Sequence, residues 1–125
     1  MKAIQPTIVL VRPQLPENIG LTVRAMHNCG LDKLIIVSPR EKWPNKKAID
    51  SAANAKKIIK NAKIFKSINE AVSNFNFVIA TSARKRYLKK PHKKDFLSLF
   101  KELPILSKIA ILFGPEQSGL SNNDL

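Results

Sequence analysis

The sequence predicts an α/β domain with a mostly parallel sheet and helices on both faces. Four short apolar runs rich in β-branched residues have the length of strands: Thr7 to Val11, Leu34 to Val37, Phe77 to Ala80 and Lys108 to Phe113. Between them the apolar residues switch to helical spacing. The runs are almost continuously apolar rather than alternating, which fits strands covered on both faces.

Each element follows from its residues. Thr7-Ile-Val-Leu-Val11 is the first strand, and Pro13 and Pro16 break it into a loop. A helix is expected from Ile19, with Ile19, Val23 and Met26 on one side and Gly20, Arg24, His27 and Asn28 on another. Gly30 either extends the first stripe or stops the helix. Leu34 to Val37 is the second strand, closed by Ser38-Pro39. Pro44-Asn45 opens an interrupted helical stretch reaching Lys60, with Trp43 beside it as a packing anchor. Ser67-x-x-Glu70 is a capping box that starts a short helix at Ile68. Phe77 to Ala80 is the third strand, and Asp95 caps a helix through Phe96, Leu99 and Phe100. The last strand ends at Phe113, and Asn122 opens a further helix.

At 125 residues the chain has room for one domain with a core. Hydrophobic residues are 44% and aromatics 6%, so that core is aliphatic. No apolar run approaches the ~18 residues of a membrane span, and no export signal is legible, so the expected location is the cytoplasm. The single Cys29 excludes an internal disulfide, and His27 and His92 are too scattered for zinc; Cys29 itself reads as a core residue. Lys plus Arg is 22 against 9 acids, a formal net charge of +13. That balance implies a polyanionic partner such as RNA, or else a lysine-rich source proteome. Distribution favours the former. Arg84, Lys85, Arg86, Lys89, Lys90, Lys93 and Lys94 form one run without an acid, suited to phosphates, with Tyr87 and His92 available to stack on a base.

Three segments meet at the rim where strands end, the usual place for a ligand in such a sheet. In Pro16-Glu-Asn-Ile-Gly-Leu-Thr-Val-Arg24, Asn18 either caps a helix or holds the loop or a ribose. Arg24 is either surface charge or a planar fork for a phosphate. Thr81 and Ser82 leave the third strand with hydroxyls that bond a ligand or cap a turn. In Phe113-Gly-Pro-Glu-Gln-Ser-Gly-Leu120, Gly114 permits close backbone approach, Gly119 a strained turn, and Glu116 either orients the loop or is solvated. Neither Gly-x-Gly-x-x-Gly nor Gly-x-x-x-x-Gly-Lys is present.

Taken together, Asn18-Ile-Gly-Leu-Thr-Val-Arg24 and Phe113-Gly-Pro-Glu-Gln-Ser-Gly-Leu120 resemble the first two motifs of the SpoU/TrmH family of knotted RNA ribose methyltransferases. Thr81-Ser-Ala-Arg-Lys-Arg86 looks like its tRNA methyltransferase J subgroup. The resemblance implies a Rossmann-like, SPOUT-type fold with a C-terminal trefoil knot. It implies methyl transfer from S-adenosylmethionine to a ribose 2'-hydroxyl, at nucleotide 32 of the tRNA anticodon loop for that subgroup, by a homodimer. Arg24 then matches the catalytic arginine, with Asn18 beside it in the motif. Thr81, Ser82, Gly114, Glu116, Gly119 and Leu120 match donor-binding loops, and the basic run matches RNA contact.

The family's third motif, on the final knot helix, has no counterpart through Leu125. The expectation is therefore a methyltransferase domain over 1–125, truncated before that helix, with an incomplete knot. Two alternatives to an active enzyme stand beside it: a non-catalytic RNA-binding module and an inactive remnant.

Overall fold

A computed structural model describes residues 5–81 and 108–115 of the chain. Five strands are seen among the described residues: β1 (Thr7–Val11), β2 (Leu34–Val37), β3 (Lys63–Phe65), β4 (Phe77–Ala80) and β5 (Ile109–Phe113). They form one sheet in the order β3-β2-β1-β5-β4, with every pairing parallel. The four expected strands are present, within one residue of their expected ends. The edge strand β3 was not expected. It is three residues long, begins with an exposed lysine and is nowhere fully buried, so it lacks the apolar run that marks the others.

Among the described residues four α-helices connect the strands, α1 (Pro16–Asn28), α2 (Lys46–Ser51), α3 (Lys56–Lys60) and α4 (Ile68–Val72), with a 3-10 turn over Ala53–Ala55 between α2 and α3. The crossovers β1-α1-β2 and β2-α2-α3-β3 step in one direction, and β3-α4-β4 steps back. Right-handed crossovers then put α1, α2 and α3 on one face and α4 on the other. The cores agree. Ile8, Leu10, Leu34 and Ile36 pack with Val23, Met26, Ile58 and Ile59. Val9, Val11, Ile35 and Val37 pack with Ala71 of α4. Successive strand residues serve opposite faces, so β1 and β2 are buried along their whole length. Trp43 packs half-buried on the α1 side, as its sequence context suggested.

Helix α1 starts three residues earlier than the periodicity indicates. Leu15 is the N-cap without a side-chain cap bond, and Pro16 is the first helical residue. Proline's fixed φ suits that position, where a missing N–H costs nothing. Asn18 therefore lies inside the first turn and is neither the cap nor a loop residue. At the other end Gly30 has φ 78, and the Leu31 and Gly30 N–H groups donate to Met26 and His27 carbonyls at 2.8 and 3.1 Å. This is a Schellman stop, so Gly30 ends the helix and is exposed. Asn45 caps α2 through Ala48 N–H at 3.2 Å, and Ser67 caps α4 through Glu70 N–H at 3.2 Å.

Gly20 is buried, not on the polar side, because α1 and α2 approach most closely there. A Cβ at this position would meet Ser51 Cβ, and would lie 2.7 Å from Ser51 C and 2.9 Å from Ala48 O. Between α2 and α3 the chain breaks at Ala53, which is exposed and holds φ 53. That left-handed geometry costs an L-residue about 1 kcal/mol. Ala53→Gly is expected to raise stability by up to about 1 kcal/mol in a urea titration.

Candidate functional site

All five strands run the same way, so their carboxyl ends share one rim. Connections leave β1 toward β2 on one side, while β5 lies on the other, which makes the β1/β5 boundary the switch point of the sheet. A cavity of about 410 Å³ opens beside it, lined by residues that include Asn18, Thr22, Ala25 and Cys29 of the α1 segment and Phe113 and Gly114 after β5. Its floor includes Ile8 and Leu10. The volume lies within the usual ~300–1,000 Å³ of small-molecule sites.

Two stripes on α1 divide the labour. Ile19, Val23 and Met26 are buried toward the sheet. Asn18, Thr22, Ala25 and Cys29 follow one another at spacings of four, three and four, which places them on the neighbouring face. The Thr22 hydroxyl donates to the Asn18 carbonyl at 2.9 Å. The half-buried Asn18 side-chain amide has no hydrogen-bond partner among the described residues, leaving donor and acceptor free at the cavity wall. Thr22, Ala25 and Cys29 were missed from sequence. Their signal is a line of small side chains at helical spacing beside the core stripe. Cys29 is exposed, which corrects its reading as a core residue.

Strand exits are fixed by a repeated device. Arg12 N–H donates to Val37 O at 2.7 Å, Ser38 N–H to Phe65 O at 2.9 Å, and Thr81 N–H to Leu112 O at 3.0 Å. Arg12 and Ser38 both hold φ 49, so the chain turns sharply off β1 and β2. The Thr81 hydroxyl also donates to Leu112 O, at 2.8 Å, and ties the end of β4 to the residue just before Phe113-Gly114. Its proton is thus committed to the scaffold, while its lone pairs remain available. Thr81→Val keeps the backbone bond and loses the hydroxyl. The expected cost is about 1 kcal/mol by urea unfolding, with the β4 exit loosened.

Of the residues singled out from sequence, Asn18 and Gly114 are brought together at one cavity. Thr81 is one strand over. Arg24 is exposed and is not on the cavity wall; six residues after Asn18, it lies about 9 Å further along the helix and on another side. Ser82, Glu116, Gly119, Leu120 and the basic run Arg84, Lys85, Arg86, Lys89, Lys90, Lys93 and Lys94 lie outside the described residues, as do the helices expected at Asp95 and Asn122 and the knot. Among the described residues no group of three or more His, Cys, Asp or Glu could hold a metal, and no helix is long and apolar enough to cross a membrane.

A parallel sheet covered by helices on both faces, with a cavity beside its switch point, defines a doubly wound α/β protein. The chain belongs to the SpoU rRNA Methylase family, which it matches over residues 5–125. It is 39% identical over 118 residues to an uncharacterized tRNA/rRNA methyltransferase of Haemophilus influenzae, covering 94% of this chain and 48% of that protein. It is 35% identical over 121 residues to the tRNA (cytidine/uridine/adenosine-2'-O-)-methyltransferase TrmJ of Pseudomonas aeruginosa, covering 94% and 47%. The crystal structure of TrmJ from Z. mobilis ZM4 superposes with a TM-score of 0.84 at 43% identity, covering 95% of this chain and 53% of that one. The chain spans about half the length of the curated relatives it matches. Family and fold agree with the resemblance carried by the two glycine-containing motifs.

Proposed function

We propose that this domain transfers a methyl group from S-adenosylmethionine to a ribose 2'-hydroxyl of tRNA, with residues 1–125 belonging to the methyltransferase domain of a cytoplasmic homodimer. The observation that carries the reading is the cavity shared by Asn18 and Gly114, one from each family motif, at the switch point of the sheet. The residues present fit the donor. The apolar wall of Ile8, Leu10, Met26 and Phe113 suits an aromatic ring and an aliphatic chain, and Gly114 lets backbone polar groups approach a ligand edge. When bound, S-adenosylmethionine supplies an electrophilic methyl on a sulfonium.

The chain's own residues do the rest. Asn18 orients a polar edge through its free amide. Thr81 positions the loops through the Leu112 carbonyl. Arg24 is a positioning residue in this reading: its planar guanidinium presents a fixed fork of N–H donors. It grips a phosphate and holds the ribose in line.

Calorimetry with S-adenosylmethionine, followed by transfer of a labelled methyl group to tRNA, tests the proposal. One saturable site per chain and label in the tRNA ribose are expected. Binding of RNA without the donor would assign a non-catalytic RNA-binding module, and binding of neither an inactive remnant.

A further inference from the structure

The β3 side of the sheet carries an unbalanced charge that the cavity does not use. Between Arg40 and Lys66 there are nine basic residues and two acids. Both acids are already engaged: Arg40 Nε meets Glu41 at 3.3 Å, and Lys46 Nζ meets Asp50 at 2.9 Å. Lys47, Lys56, Lys57, Lys60, Lys63 and Lys66 are all exposed, and none has an ion pair with a described acid. In α3, Ile58 and Ile59 are buried, while Lys56, Lys57 and Lys60 take the opposite side through i,i+3 and i,i+4 spacing. The helix descends from the carboxyl rim and feeds the edge strand β3, so these lysines coat one flank of the domain.

We propose that this flank is a docking surface for the phosphate backbone of a folded RNA, distinct from the cavity and separate in sequence from the run at Arg84 to Lys94. The inference rests on reading the domain as an RNA-modifying one. β3 is two strand spacings, about 10 Å, from β1 at the crevice. A nucleotide held at the crevice does not reach α3, but the helical body of a folded RNA does. Lysines act there as point charges on phosphates, positioning the RNA without reading its sequence. Their mutual repulsion in the free protein is relieved when the polyanion arrives.

The test compares two doubly substituted proteins of equal charge, Lys57→Gln/Lys60→Gln and Lys33→Gln/Lys108→Gln. Lys33 and Lys108 are exposed, lie outside α3 and precede β2 and β5 at the amino rim of the sheet. Binding of a transcribed tRNA is measured by fluorescence anisotropy between about 50 and 200 mM salt. The α3 pair is expected to lower affinity about 10-fold and to reduce the log–log salt slope by about 1.4–1.8, at ~0.7–0.9 per lost phosphate contact. The control pair is expected to change affinity by less than about twofold, and Lys57→Arg/Lys60→Arg to restore binding. An unchanged slope, or equal losses in both pairs, overturns the proposal in favour of bulk charge. Polyglutamate competing as strongly as tRNA overturns the assignment to RNA. S-adenosylmethionine affinity of the α3 variant should equal that of the parent. If the parent binds tRNA but no donor, the methyl-transfer reading fails while the flank is still decided by the slopes.

Discussion

In the intact protein, Arg24→Lys is expected to lower methyl transfer by about 100-fold while tRNA affinity stays within about threefold. Lysine preserves the charge, so a purely electrostatic role would survive the change. It removes the planar, multiply donating fork, so a role in fixing the angle of the ribose would not. Arg24 is exposed on α1, away from the buried stripe, and the substitution should move stability by no more than about 0.5 kcal/mol. Single-turnover methylation, tRNA binding and thermal melting on the same preparation separate these contributions. Full activity in the lysine variant would reject a specific part for the guanidinium.

Gly20→Ala is expected to destabilise the domain by about 2–3 kcal/mol and to lower the melting temperature by roughly 10 °C. The added methyl meets Ser51 Cβ and the backbone of α2, at 2.7 Å from Ser51 C and 2.9 Å from Ala48 O, and none of these is the far end of a flexible side chain. Relief therefore requires α1 and α2 to separate. Differential scanning calorimetry reads the effect directly. A melting temperature within about 2 °C of the parent would show that the interhelical contact yields without cost. The glycine of the first family motif is thus accounted for by helix packing, independently of any ligand.

The central strands were legible because each is a run of β-branched and aliphatic residues covered on both faces, a pattern that little else produces. β3 escaped because an edge strand needs no such run, and Lys63-Ile-Phe65 carries none. The start of α1 was misplaced because its cap is Leu15, which bears no polar side chain, and proline serves equally as a loop breaker and a first helical residue. Burial of Gly20 depends on where α2 lands, which no local pattern encodes. For the candidate site, Asn18 and Gly114 are the two residues singled out from sequence that meet at the cavity. The small residues Thr22, Ala25 and Cys29 did not stand out, since their meaning comes from the neighbouring stripe being taken up by the core.

β5 is hydrogen-bonded on both sides, to β1 and to β4, although it is drawn from the far end of the sequence. During synthesis β1, β2 and β3 can zip together early, while β1 and β4 each present a bare edge until residues 109–113 emerge. Closure is thus a late, high-contact-order event, and loop-closure entropy opposes it until the strand is seated. Since Phe113 and Gly114 line the cavity, its wall is incomplete until β5 is seated. The cavity is thus a product of the last strand to be seated.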